Sequence, residues 1–231
     1  MGAQWKQKGR EQAADARGRV FSKLAKEIII AARAGADLAM NPRLRMAVEA
    51  AKKASMTKDT LERAIKKGAG LTGEKINYDS VTYEGFAPNQ VPVIVECLTD
   101  NRARTATNLK MIFRRGQMGA PGSVTWDFKR EGIIEATPPE GADPENAAIE
   151  AGAQDLEPGD DGATRFFTEP SDLDTVTKAL TAANWTVLAS KPGWRAKNPV
   201  TLDEKDRAQT EDFLQALDAD DDVQEIYAGL A

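Results

Sequence analysis

Apolar side chains recur at helical spacing through the first third of the chain and at mixed spacing after it. In EQAADARGRVFSKLAKEIIIAARAG (11–35), Phe21, Leu24, Ile28 and Ala32 fall on one helical face, and Gly35 suits the left-handed stop beyond a helix. A second helix is predicted for NPRLRMAVEAAKKA (41–54). Asn41 is a suitable N-cap, Pro42 fits the first helical position, and Leu44, Val48 and Ala51 form the apolar stripe. MTKDTLERAIKKGAG (56–70) predicts a third helix, capped by Thr57 or Asp59 and ended at Gly68. On a helical wheel Leu61, Ala64 and Ile65 share one side, while Arg63, Lys66 and Lys67 lie opposite.

The helical period then stops. GAGLTGEKINYDS (68–80) reads as a glycine-rich linker. VTYEGFA (81–87) and VPVIVECL (91–98), rich in β-branched and aromatic residues, predict strands. NRARTATNLKMIFRRG (101–116) predicts a helix with Ala106, Leu109, Ile112 and Phe113 on its apolar side. QMGAPG is expected to turn, SVTWDF (123–128) to be a strand, KREG (129–132) a charged turn and IIEATPP (133–139) a strand. Beyond these come a helix at 144–153, a strand at 163–169, a helix capped by Ser171 or Asp172, and a strand at 185–192. A helix carrying Phe213, Leu214 and Leu217 and a strand at 222–229 close the chain. About seven strands and six or seven helices in this order predict an α+β protein of three domains. A three-helix domain (1–75) precedes two small α/β sandwiches of ferredoxin-like type. One is discontinuous (76–130 plus 201–231), and the other is inserted at 131–200.

Composition narrows the chemistry. With 41% hydrophobic residues the chain has enough apolar side chains for real cores. Cys97 is the single cysteine, which excludes an intramolecular disulfide and suits a reducing compartment. The absence of His excludes Ser-His-Asp and Cys-His nucleophile systems and His-containing zinc sites. No apolar run approaches the roughly 20 residues needed to span a bilayer, and the charged N-terminus does not resemble a secretory signal. The expectation is a soluble, cytoplasmic protein without membrane partners.

Candidate catalytic features fail one by one. GAGLTGEK (68–75) resembles a phosphate-binding loop, but Glu74 follows Gly73 where the pattern needs Lys. Glu84, Glu96 and Asp100 lie near strand ends without a partner for acid–base work. DADDD (218–222) lacks the spacing of a calcium loop and reads as a solvated turn. Cys97 reads as an inert core thiol. The sequence therefore predicts no enzyme, no cofactor and no metal.

Charge is informative by segment. Residues 1–70 hold 16 Lys/Arg against 7 Asp/Glu, a net +9, whereas residues 135–231 hold 7 against 22, a net −15. Such asymmetry directs the basic end toward a polyanion. Its candidate contacts are Trp5, Lys6, Lys8 and Arg10 in the tail, Arg43, Arg45, Lys52 and Lys53 on the second helix, and Lys58, Arg63, Lys66 and Lys67 on the third. Arg17, Arg19, Lys23 and Lys26 line the first helix and add to the same field. Trp5 is suited to stacking on a base. About five phosphate contacts would give a salt slope of about −4 to −5. Arg102, Arg104, Arg114 and Arg115, at the two ends of another predicted helix, form a second cationic site. For the cations of the third helix and for the second site the competing reading is a solvated helix face with a favourable C-terminal dipole.

NPRLRMAVEAAKKASMTKDTLERAIKKGAG (41–70), YEGFAPNQVPVIVECLTDNRART (83–105) and GSVTWDF (122–128) together resemble the YebC/PmpR family, across almost the whole chain. That family includes the mitochondrial translational activator of cytochrome oxidase. The resemblance implies a three-domain α/β protein with a helical N-terminal domain. It implies a DNA-binding transcriptional regulator, with a ribosome- or RNA-associated translation factor as the alternative, its partner then being ribosomal RNA. It brings no catalytic residues. Family members usually begin Gly-His-Ser-Lys-Trp; here GAQWKQKGREQAADARGRVF keeps Trp5 and part of the basic character but no His, the pattern of a divergent paralogue. In either version the acidic domains would orient the protein or contact the ribosome or another protein. An adaptor that touches protein alone, its basic domain facing acidic surfaces, is the third reading.

Overall fold

The computed structural model describes residues 4–73 and 77–231, the side chains of 4–16 and of residue 160 excepted. In chain order the elements are α1 (Gln4–Ala32), α2 (Pro42–Lys53), α3 (Lys58–Gly68), β1 (Asp79–Phe86), β2 (Pro92–Thr99), α4 (Arg102–Ile112), β3 (Gln117–Met118) and β4 (Phe128–Thr137). They continue with α5 (Pro144–Ala151), β5 (Asp155–Pro158), β6 (Thr164–Thr168), α6 (Leu173–Ala182), β7 (Thr186–Ala196), α7 (Glu204–Asp218) and β8 (Val223–Ala228). The result is the α+β class expected, with two four-stranded sheets of order β3-β1-β2-β8 and β5-β6-β4-β7. The chain divides into two compact units. One holds Met1–Gln90, Val95–Pro121 and Leu202–Ile226; the other holds Val91–Ile94, Gly122–Thr201 and Tyr227–Ala231. Among the described residues no helix is long and apolar enough to cross a membrane.

In the first unit α1 packs on α2 and α3. Ile28, Leu44, Val48, Ala51, Leu61 and Ala64 form their shared core, with Phe21 and Leu24 at its margin. Helix α1 starts at Gln4, inside the segment that reads as a tail in the sequence. That stretch contains no Pro and is built largely from Lys, Gln, Glu and Ala, which favour helix. Gly68 is the last residue of α3, but stopping the helix is not its main task. A Cβ there would collide with the Ile29 carbonyl oxygen and Ala32, so Gly68 lets α3 close on α1. The left-handed stop is Gly70, at φ +73°. The same unit packs Phe113 edge-on against Phe213 of α7, 5.2 Å between ring centres.

The second unit lays α5 and α6 on one face of its sheet. Ile134, Phe166, Val176, Leu180 and Trp185 are buried there, Phe166 and Trp185 meeting edge-on at 5.1 Å. Three local expectations are corrected between β1 and β7. The stretch 123–128 is not a strand: Thr125–Asp127 is a 3-10 turn, and β4 begins at Phe128. The short strand that borders β1 is β3, in the stretch expected to turn. KREG is not a turn but the start of β4, which pairs with β7 from Phe128 to Thr137. Ladder pairing with β7 overrides the local charge, and at Gly132, where β6 joins on the other side, the missing side chain lets Thr168 and Leu173 approach closely. Strand β7 likewise runs on through Pro192 and Gly193, which is tolerated because β7 is a sheet edge.

Candidate nucleic-acid interface

Helix α2 is fixed at its start by Asn41, which is 7% exposed. Its side-chain oxygen accepts from the Leu44 N–H at 3.1 Å, while its amide nitrogen donates to the carbonyls of Ala31 (2.7 Å) and Gly35 (2.8 Å). One residue thus caps α2 and ties it to the end of α1. Helix α3 is capped by Thr57, whose hydroxyl accepts from the Thr60 N–H; Asp59 lies in the first turn. With the apolar stripes of both helices buried, their cations fall outside. Arg43, Arg45, Lys52, Lys53, Lys58, Arg63 and Lys66 are exposed and Lys67 is half-buried.

These cations are held loosely. Arg63 pairs with Asp59 at 2.9 Å and Lys58 with Glu62 at 3.8 Å, both within one helical turn. Arg43 reaches Glu27 at 3.5 Å, and Arg45 donates to the Leu38 carbonyl at 3.4 Å. Lys52 and Lys66 make no ion pair among the described residues. Exposed pairs of this kind contribute roughly 0–1 kcal/mol, so a phosphate can displace them at small cost. Trp5, Lys6, Lys8 and Arg10 belong to the backbone of α1, but their side chains lie outside the described residues.

The other cations of the first helix behave differently. Lys26 donates to the Asp222 carboxylate at 2.8 Å and to the carbonyls of Leu98 and Asp221. Lys23 pairs with Asp218. Arg104 closes on Asp222 at 2.8 Å and on Asp100 at 2.8 Å. Asp222 is 3% exposed and also accepts from the hydroxyls of Thr99 and Thr105. Burial alone would push this carboxyl up; hydrogen bonds from Arg104, Lys26 and Thr105 outweigh it and hold the group at about 2. The DADDD run does turn, and Asp218, Ala219 and Asp221 are exposed as expected, but the turn is not wholly solvated. Asp222 is its buried anchor, Asp220 accepts from Asn108 and from the Asp222 N–H, and Asp218 meets Lys23. The one sequence signal was a tight cluster of carboxylates beside a chain end rich in apolar residues.

The second cationic site is divided. Arg104 is committed to Asp222, and Arg102 pairs with Asp79 at 2.9 Å. Arg114 and Arg115 are exposed at the other end of α4 and make no ion pair among the described residues. At about 1.5 Å per residue the two ends stand roughly 17–20 Å apart, so the four do not converge. Cys97 is buried, and burial, with Asp220 and Asp222 adding to it, pushes its thiol up to about 12, where it is unreactive.

A small basic helical segment with outward cations, joined to α/β sheets, is the layout of a polyanion-binding protein. Residues 2–71 match the family described as TACO1/YebC protein N-terminal domain, and residues 78–230 match TACO1/YebC second and third domain. The chain is 60% identical over 233 residues to a probable transcriptional regulatory protein of Pseudomonas syringae pv. syringae, covering all of both chains. It is 46% identical over 231 residues to one of Bdellovibrio bacteriovorus, covering 99% of each. The crystal structure of a conserved hypothetical protein, Aq1575 of Aquifex aeolicus, superposes with a TM-score of 0.83 at 39% identity. That match covers 93% of this chain and 90% of the other. The chain belongs to the TACO1/YebC family.

Proposed function

We propose that this protein is a nucleic-acid-binding regulator of gene expression that grips phosphates with α2 and α3, acting on DNA in the cytoplasm and without catalysis of its own. The observation that carries the proposal is the cation set of Arg43, Lys52, Lys58, Arg63 and Lys66. All are outward-facing, and none is tied to a carboxylate far away in sequence. The names of its relatives, probable transcriptional regulatory proteins, support the regulatory role. Lys and Arg contacts of this kind position a protein on a backbone and supply affinity rather than base selection. The test is a fluorescence-anisotropy salt series with duplex DNA and, in parallel, a ribosomal RNA fragment. A slope near −4 on DNA, with weaker RNA binding, is expected. Salt-independent binding would refute the phosphate grip, and preferential RNA binding would move the target from promoter to ribosome.

A further inference from the structure

Trp126 is 68% exposed, an unusual state for the largest apolar side chain. It is not loose. Its indole N–H donates to the Ser123 carbonyl at 2.9 Å, and the turn that carries it is tied down by neighbours. Lys197 donates from its ammonium to the Trp126 carbonyl at 2.7 Å and from its backbone N–H to the Asp127 carbonyl, while Asn198 donates to the Asp127 carboxylate at 2.9 Å. With the N–H already satisfied, what Trp126 offers to solvent is its ring face.

The charge around that face is opposite to the charge of its surroundings. Residues 122–201 hold 14 Asp/Glu against 7 Lys/Arg. Yet 126–130 and 194–198, joined through the β4–β7 ladder, hold 4 Lys/Arg and a single acid, Asp127, which is buried. Two of the four are engaged elsewhere: Lys129 pairs with Glu131 at 2.8 Å and Arg195 with Asp155 at 2.7 Å. Lys197 makes no ion pair among the described residues, its ammonium being bonded to a neutral carbonyl. Arg130 lies over the Trp194 ring at 4.8 Å, four residues along the same ribbon. A cationic ligand on Trp126 is disfavoured by these neighbours. A neutral planar group joined to an anion is favoured.

We propose that Trp126 is a stacking platform for an unpaired nucleobase, with Lys197 placed for the adjoining phosphate. This inference rests on the nucleic-acid reading above and adds a base-contacting element from a different part of the chain. A base pair within a duplex has no free face for it, so the platform selects single-stranded or looped segments. The experiment uses the full chain, fluorescein-labelled oligouridylate, oligothymidylate and duplex DNA, and the variants Trp126→Ala and Trp126→Phe. Both substitutions fall at an exposed site, and thermal melting checks the fold. Trp126→Ala is expected to weaken single-strand binding by about 10-fold with an unchanged salt slope, and Trp126→Phe to restore most of it. The two oligonucleotides distinguish an RNA source from a DNA source. Unchanged single-strand affinity in Trp126→Ala, with wild-type binding still steeply salt-dependent, overturns the platform and leaves the phosphate grip standing. Absence of all binding by the wild-type chain overturns both. A proline-rich peptide that quenches Trp126 where the oligonucleotides do not would reassign the ring to protein recognition.

Discussion

Lys26 of α1 and Arg104 of α4 are the same residue types as the cations of α2 and α3, in similar helical settings, yet the fold uses them oppositely. On α2 and α3, Arg63, Lys58 and Arg43 meet carboxylates that are exposed, and two of these lie within one turn of the same helix. On α1 and α4, Lys26 and Arg104 meet Asp222, which is 196 and 118 residues away in sequence and buried. The first set keeps its charge available to solvent. The second set has its charge met by a buried carboxylate, so Lys26 leaves the field that the +9 segment presents, while Lys23 is paired at the surface with Asp218. A cation count along a chain therefore overstates a binding surface wherever the fold brings a distant carboxylate to it.

The comparison breaks most sharply at Asp222. Asp222→Ala leaves Lys26 and Arg104 without their shared acceptor and is expected to lower unfolding free energy by about 3 kcal/mol in urea titrations. A loss below about 1 kcal/mol would place these cations with the surface set instead. The acid limb tests the same site. Asp222 is held at about 2 in the fold against an ordinary 3.8, so its contribution is complete above pH ~4 and is lost as pH falls toward 2. That amounts to roughly 2–3 kcal/mol, seen as a steeper acid destabilisation in the wild type than in Asp222→Asn.

Replacing Arg63, Lys66 and Lys67 together by Ala addresses the other set. Nucleic-acid affinity should fall about 10- to 30-fold and the salt slope flatten by about 2–3, with unfolding free energy changed by no more than about 0.5 kcal/mol. An unchanged slope would show that α3 does not meet phosphate. Arg102→Ala should have the smallest effect, below about 1 kcal/mol in stability, because its pair with Asp79 is exposed on both sides.

Much of the helical segment was legible in the sequence. Asn41, Pro42, Thr57 and the stripe Leu44–Val48–Ala51 act as their local chemistry predicts, because caps and amphipathic faces depend on residues within one or two turns. The β region was less legible. KREG carries every local mark of a turn and lies within a strand, since its conformation is set by partners on β7 distant in sequence, joined at Gly132 by β6. Trp126 was visible only as part of a motif. Its exposure follows from the 3-10 turn that replaces the expected strand, and that turn depends on Lys197 and Asn198 from the end of the neighbouring strand.

By itself the sequence determined the family, the α+β class, the caps and apolar stripes of α2 and α3, and the separation of a basic from an acidic end. All of these are carried by neighbours in the chain or by residue counts. Only the tertiary structure decided which cations are available, that Asp222 is an anchor rather than part of a solvated turn, and that one tryptophan stands in the open. Each of those outcomes depends on contacts between residues far apart in sequence, and in particular on where burial removes water from a charge and where it does not.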